Sequence, residues 1–445
     1  MNHPQHAVAV IGGAVAGAEV ARALADKGAY VAVFEQNRRP FGKIEDGLPR
    51  WHGALRQAEF QKIKEKLSHE RIDFVPLTKV GSDIPFKALV EEWGFSLVVL
   101  ACGAWRDRRL PVENADAYLG RGLHYQNPFI IAFNRAEAPI PLAAGGGIVI
   151  GGGLASIDVA KVLMLDAVRF ALAERGIEVD LEELEKAGIP KTLELHGLTW
   201  EQLGLPGATL FYRREAEDMP LLEMPPDADQ ARREKVARTR RRALEKAMGK
   251  FLFGFEPLCR PEAILEEEGR LCGVRFRRLR KDENGKLQAT ETCFERRAPL
   301  VVSSIGSIPE PIPGVRMEGE LIAFEGDVLP RLQGYSHVFS AGNVVTGKGN
   351  IIASRRHASA VATELLETFM GLREGHQGEE VLIQDIEAAA AQQAEKVKQV
   401  IEQLEAPSPE ALARARHLVR ERMDAVHYSG DVESWLSSAA NKAQA

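Results

Sequence analysis

The sequence predicts an α/β fold: two strand–turn–helix–strand units, the second inserted into the first, and a C-terminal helical appendage. Three observations predict it. Ala7 to Ile11 and Tyr30 to Phe34 are short apolar runs flanking helix-compatible sequence from Ala18 to Lys27, the minimum for a right-handed parallel crossover. The same order recurs about 140 residues later, with a strand at Gly147 to Ile150, a helix at Ala155 to Leu165 and a β-rich run at Ala208 to Tyr212. Past Gly371 the composition shifts to Ala, Glu, Gln and Lys with helical periodicity, interrupted at Pro407-Ser408-Pro409 and fraying toward Asn441 to Ala445.

The remaining elements fall between these. Leu97 to Leu100 and Leu300 to Ser303 are apolar strands that end in small residues, Ala101-Cys102-Gly103 and Ser304-Ile305-Gly306. Each then runs toward a proline, Pro111 or Pro309, and the two read as matched crossovers between the units. Alternation from Glu266 to Gln288 around Asn284-Gly285 predicts a hairpin, with Arg275 to Lys281 on its exposed face. The expected domains are 5–140 with 305–372, an inserted 141–304, and the appendage 373–445.

Composition bounds the function. The chain has 445 residues, 45% hydrophobic and 27% charged, enough for two or three full-sized cores. A net charge of −6 argues against a protein that coats nucleic acid. Cys102, Cys259, Cys272 and Cys293 are far apart, which argues against a disulfide framework, a zinc ribbon, an iron–sulfur cluster held by this chain or a redox dithiol. The opening MNHPQHAVAVIGG has no secretory pattern, and no run is apolar and long enough to span a membrane, so a cytoplasmic chain is expected.

Two glycine-rich turns carry the chemistry. Gly12-Gly13-Ala14-Val15-Ala16-Gly17 follows a strand and opens a helix, where backbone N–H groups can receive a pyrophosphate. Gly12 serves the tight turn and Gly17 the close helix–strand packing, while Ala14 adds a methyl where the phosphate comes nearest. Glu35, at the end of the second strand, is placed to accept ribose hydroxyls. The second turn, Gly151-Gly152-Gly153-Leu154-Ala155-Ser156, ends in serine where glycine or alanine is usual. Its following strand ends not in an acid but in Arg213-Arg214. An acid there would repel a 2′-phosphate, whereas guanidinium groups bind one through two parallel hydrogen bonds, so NADPH is expected over NADH. Solvated strand-end arginines are the plainer alternative.

Two dinucleotide sites on one chain suit hydride transfer between a nicotinamide and a flavin. A third piece fits that scheme: Val338-Phe339-Ser340-Ala341-Gly342-Asn343, then Gly347-Lys348-Gly349-Asn350-Ile351, returns to the first site. Together these Rossmann-like motifs resemble the flavoprotein NAD(P)H oxidoreductases related to the glutamate synthase small subunit and to adrenodoxin reductase-type ferredoxin–NADP reductases, over about residues 5 to 370.

The resemblance implies FAD at the first site, with Gly342-Asn343 standing where the family has Gly-Asp and Gly349, Asn350 and Ile351 following it. Phe41-Gly42-Lys43-Ile44-Glu45-Asp46-Gly47-Leu48-Pro49 resembles the flavin-side loop, placing Gly42, Lys43 and Gly47 at the cofactor. Trp51-His52 continues it, and His52 is the ring expected near the flavin, orienting the loop or relaying a proton; a structural histidine is the alternative. Cys102-Gly103 stands where relatives have Thr-Gly, so Cys102 is read as a small residue by the nucleotide, with a reactive thiol as the sharper alternative. Gly122 to Asn134 resembles the aromatic crossover into the second unit, and Tyr212-Arg213-Arg214 with Met219-Pro220 resembles the family's Y-R-R and M-P.

Electrons would then leave to a partner. The basic stretch Arg232 to Lys250 suits an acidic ferredoxin-like or iron–sulfur electron-transfer protein, or is a solvated helix face. Three functions stay open: a free-standing ferredoxin–NADP reductase, the electron-input subunit of a larger complex, and a nucleotide-binding scaffold or redox sensor without turnover. The appendage is read as a dimer or partner-docking element.

Overall fold

The structure, a computed structural model, describes residues 6–135, 146–222, 224, 228–326, 329–344, 367, 370, 372 and 377–438. Its first sheet is built on strands Ala7–Ile11 (β1), Tyr30–Phe34 (β2), Ile72–Val75 (β3) and Leu97–Leu100 (β4). These lie parallel in the order β3-β2-β1-β4, joined beyond β4 by the parallel strand Val338–Ser340 and two short antiparallel edge strands. Both β1 and β2 are buried at every residue, as expected for a parallel sheet covered on both faces. The helix Val15–Asp26 (α1) covers one face and buries Ala18, Val20, Ala21, Leu24 and Ala25.

The second sheet repeats the order. Strands Gly147–Gly151, Ala208–Phe211 and Gly254–Glu256 run outward on one side, and Leu300–Ser304 lies against the other side of Gly147–Gly151. Order reverses between β1 and β4 in the first sheet and between Gly147–Gly151 and Leu300–Ser304 in the second. Such switch points open a crevice at the carboxyl ends of the strands, where α/β sheets bind ligands.

One boundary differs from the sequence reading. Strand Leu123–Tyr125 falls inside the span 5–140 expected for the first unit, yet it pairs parallel with Leu300–Ser304 at the edge of the second sheet. The chain crosses earlier. Arg106–Asp107 pairs antiparallel with Ser307–Ile308, so the outgoing and returning crossings form one two-stranded ribbon.

Two elements are larger than their sequence pattern suggests. The helix opened by the second glycine turn runs Leu154–Ala173, past Leu165, because no breaker intervenes before Gly176. It is buried almost all round, wedged between the second sheet and the first unit. The expected hairpin is the outer part of a three-stranded antiparallel sheet, Cys259–Glu267, Arg270–Lys281 and Leu287–Arg297. Its second turn is the one foreseen at Asn284-Gly285: Gly285 takes φ 75°, and the Asp282 carboxylate accepts from the N–H groups of Asn284 and Lys286.

The appendage folds onto the first unit. Helix Gln377–Ile401 lies along α1, with Glu387 paired to Lys62 and Lys66 and Glu402 to Lys27. Pro407-Ser408-Pro409 breaks the run as expected, and Ser408 caps helix Pro409–Ala425 by accepting from Ala411 N. That helix lies under β3, and a last helix, Val432–Ser437, packs on helix Gly53–Leu67. Among the described residues no helix is long and apolar enough to cross a membrane.

Candidate functional site

At the first switch point the backbone is too close for any side chain. Gly12 has φ 106°, and a Cβ on it would lie 2.6 Å from the carbonyl oxygen of Ala101, just past β4. A Cβ on Gly17 would lie 1.8 Å from Gly12 O, so α1 can start against the turn only with glycine there. Above this turn opens a cavity of about 230 Å³, lined by Gly12, Ala14, Glu35, Gly42, Cys102 and Gly103, among others. Ala14 faces the cavity with its methyl, and Gly42, at φ 52°, passes so near it that a Cβ would come within 2.7 Å.

Glu35 sits where the sequence placed it and is 5% exposed. Its Oε2 accepts from Gly13 N and its Oε1 from Asn37 N, each at 2.9 Å. Burial pushes its carboxyl above the ordinary value, against the pull of these two N–H groups. Each oxygen keeps a lone pair for a ligand hydroxyl. The Cys102 thiol lines the same cavity, and burial pushes it up to about 12, so it is a neutral thiol at physiological pH.

The second switch point reproduces the first. A Cβ on Gly151 would lie 2.3 Å from Ser304 O, as Gly12 stands to Ala101. Ser156 is fully buried, and its hydroxyl donates to Gly153 O at 2.6 Å, so the departure from Gly or Ala is satisfied within the turn. Gly153 and Ala155 are partly open, while Leu154 turns into the core. The Tyr212 ring lies on the turn: a Cβ on Gly152 would meet it at 2.0 Å. Arg213 and Arg214 are exposed, and among the described residues no carboxylate pairs with either. Glu256, ending the neighbouring strand, is instead paired with Arg278.

Between the cradles lies a polar junction built on the crossing ribbon. Lys43 Nζ donates to Ser307 Oγ at 3.2 Å and stands 5.5 Å over the Trp105 ring, and Asp107 accepts from Asn127 N. Burial lowers the Lys43 ammonium to about 8, against Asp107, and raises the Asp107 carboxyl to about 6. Gly47 ends the short helix Gly42–Asp46 with its N–H on Lys43 O.

At the third piece, a Cβ on Gly342 would touch Ala16 at 2.9 Å, so the returning strand does reach α1. The Gly342 N–H donates to Gln393 Oε1 of the appendage at 2.6 Å, and Asn343 is exposed. Gly349, Asn350 and Ile351 lie outside the described residues.

No protein-family model matches the chain. AegA of Escherichia coli, a proposed oxidoreductase, is 24% identical over 377 residues, 79% of this chain and 48% of AegA. The NADPH glutamate synthase small chain of Bacillus subtilis is 33% identical over 123 residues, 28% of this chain and 24% of its own length. The chain thus spans at most about half of these two relatives. Among solved structures, Mycobacterium tuberculosis FprA in complex with NADPH superposes with a TM-score of 0.62 at 17% identity, over 95% of this chain and 91% of FprA. The fold of the chain is that of FprA, with parallel, Rossmann-type sheets.

Around His52 the structure gathers three residues that sequence analysis did not single out, Asp158, Lys161 and Glu185. His52 is 2% exposed, and its Nε2 accepts from Trp51 Nε1 at 3.1 Å, so a neutral ring carries its proton on Nδ1. It lies in the electrostatic reach of two buried carboxylates on the second unit, Asp158 and Glu185. Lys161, wholly buried, joins them. Its Nζ donates to Glu185 Oε1 at 2.6 Å and to Met370 O at 3.3 Å, and stands 4.7 Å from the Trp51 and Phe251 rings. The signal is Asp158 and Lys161, three apart and the only charged residues between Leu154 and Leu165. No group of His, Cys, Asp and Glu among the described residues could hold a metal ion.

Proposed function

We propose that the chain is an FAD-dependent NADPH oxidoreductase, exchanging hydride between NADPH and FAD and passing electrons to a ferredoxin-like or iron–sulfur protein. One observation carries the reading: two glycine cradles, Gly12 against Ala101 O and Gly151 against Ser304 O, at equivalent switch points of two sheets in one chain. Both cradles fit a dinucleotide. The first has the cavity and a carboxylate with lone pairs to offer ribose, and the second has uncommitted guanidinium groups at its strand end. A bound flavin supplies a centre that takes a hydride pair and releases single electrons.

The chain's own contribution is placement. Gly12, Gly13 and Gly17 keep side chains out of the pyrophosphate path, and Glu35 takes ribose hydroxyls. Gly42, Lys43, Gly47, Cys102 and Gly103 border the cofactor toward the junction, with Gly342 and Asn343 approaching over α1. Gly151, Gly153, Leu154, Ala155 and Ser156 form the NADPH turn, and Arg213 and Arg214 take the 2′-phosphate. His52, with Nδ1–H and the Asp158 and Glu185 carboxylates in reach, is the group that would hold a proton at the interface of the two units. The exposed basic face of helix Gln230–Phe251 suits an acidic partner, although Arg240 is turned inward onto Leu222 O and Glu217 O. The electron-input subunit of a larger assembly is the second reading, favoured by relatives about twice as long as their shared region. The domains follow as 5–140 with 305–372 for FAD, less the strand at Leu123–Tyr125, 141–304 for NADPH, and the appendage 373–445.

The test is an anaerobic titration of the flavin-loaded chain with NADPH and NADH, beside Arg213→Ala. Hydrogen bonds to a charged group contribute about 1.5–3 kcal/mol, so the variant should lose roughly 10- to 100-fold of its preference for NADPH. A chain that takes up no flavin, or a variant that keeps full preference, refutes the assignment.

A further inference from the structure

The geometry points to the appendage as part of the flavin site: helices Pro409–Ala425 and Val432–Ser437 hold, from outside, the wall of the adenosine end of the first cavity. The inference rests on the reading of that cavity as the flavin site.

That wall has no regular structure of its own. It is made by the two segments that follow β2 and β3, residues 35–40 and 76–83, and Glu35, Asn37, Thr78 and Lys79 all line the cavity. The segments are tied to each other, since Leu77 N donates to Asn37 O and Thr78 N to Glu35 O. Leu77 sits at φ 51°, a left-handed conformation costly for a branched side chain, and it is 38% exposed. A strained, exposed segment keeps one shape only where its surroundings over-determine it.

The appendage supplies those surroundings. Arg422 Nε donates to Thr78 Oγ1 at 2.8 Å and its NH2 to Leu77 O at 2.9 Å, while Asp83 lies 3.5 Å away. The Thr78 hydroxyl passes the constraint on by donating to Pro76 O. On the other segment, Trp435 Nε1 donates to Arg38 O at 2.9 Å, with the Arg38 guanidinium 4.5 Å over its ring. Between them, the Tyr428 ring meets Phe74 edge-on at 5.9 Å, at the end of β3. Arg422 and Trp435 thus hold one segment each and Tyr428 the end of β3 that leads into the second segment, and none of the three contacts reaches the second unit. Arg422 is a positioning residue for the cofactor and touches none of it.

The experiment uses the full chain stripped of flavin and measures FAD binding together with amide hydrogen exchange. Arg422→Ala should weaken FAD about tenfold and speed exchange over 76–83 by a similar factor, leaving NADPH binding unchanged. Arg422→Lys, which keeps the charge and one donor, should recover part of both. Glu433→Gln breaks an exposed pair between the appendage and Lys64, away from the cavity, and should shift neither by more than twofold. Unchanged FAD affinity in Arg422→Ala overturns the inference, as does an equal loss in Glu433→Gln, which would reduce the appendage to a general stabiliser. A wild-type chain that takes up no FAD instead overturns the flavin reading, and the exchange measurement alone then decides whether the brace exists.

Discussion

Lys161→Met tests the buried ion pair of the second unit that lies against Trp51 of the first. Lys161 is wholly buried, its Nζ 2.6 Å from Glu185 Oε1, and methionine keeps most of its stem against Trp51 and Phe251 while removing the charge. Burial alone would push the Glu185 carboxyl up; Lys161, with Lys250 and His52 further off, more than offsets it and holds that carboxyl below its ordinary value. Removing one partner of a buried pair costs about 3–5 kcal/mol, because the other charge is stranded. That loss is expected at pH 8. The sign with pH follows from linkage. In the wild type Glu185 is lowered, so its stabilising share is present above its unfolded value and disappears only in stronger acid. In the variant the stranded carboxyl is raised, its folded form takes up a proton first, and the deficit shrinks as pH falls from 8 to 5. The assay is urea unfolding of both chains at the two pH values, with Lys161→Met/Glu185→Leu as the closing corner of the cycle. The double variant should return to within about 2 kcal/mol of wild type, since an apolar pair of similar volume often replaces a buried ion pair without loss. A single variant within 1 kcal/mol of wild type at pH 8, or a deficit that grows on acidification, would refute this account (both thresholds set against the ~3–5 kcal/mol expected).

Two further outcomes are expected. Asp107, raised by burial from 3.8 to about 6, takes up its proton earlier in the folded chain than unfolded, so it costs stability as pH rises through that window. A rise of that size corresponds to about 3 kcal/mol, less for a partly exposed group, so Asp107→Asn should gain about 1–2 kcal/mol at pH 7 and nothing at pH 4, read from paired thermal melts. Cys102, with its thiol pushed up to about 12, should stay unmodified by iodoacetamide at pH 8 while exposed Cys293 is alkylated, as mass spectrometry would report. Equal labelling of the two would favour the reactive-thiol alternative.

Much of the site's skeleton was legible because it depends on local rules. Gly12, Gly17 and Gly151 announce turns in which backbone meets backbone, and Glu35 announces a strand end, each within one strand–turn–helix unit. The matched strands Leu97–Leu100 and Leu300–Ser304 were legible as a pair for the same reason. What escaped depends on distant contacts. Strand Leu123–Tyr125 is three residues long, and its allegiance is settled by a partner far along the chain. Lys161 reads as one of four charged residues in its helix until Glu185, Trp51 and Met370 are brought around it. The appendage showed its helices and its Pro407–Pro409 break, but periodicity does not say that Arg422 would end at Thr78.

The ribbon of Arg106–Asp107 and Ser307–Ile308 makes the molecule modular in a definite sense. The inserted unit leaves and re-enters its host side by side, so a short turn would seal the host if the insert were excised. A different unit with the same spacing between its ends is the natural graft. Under the proposed function, transplanting whole units would exchange the electron donor and leave the host cradle untouched.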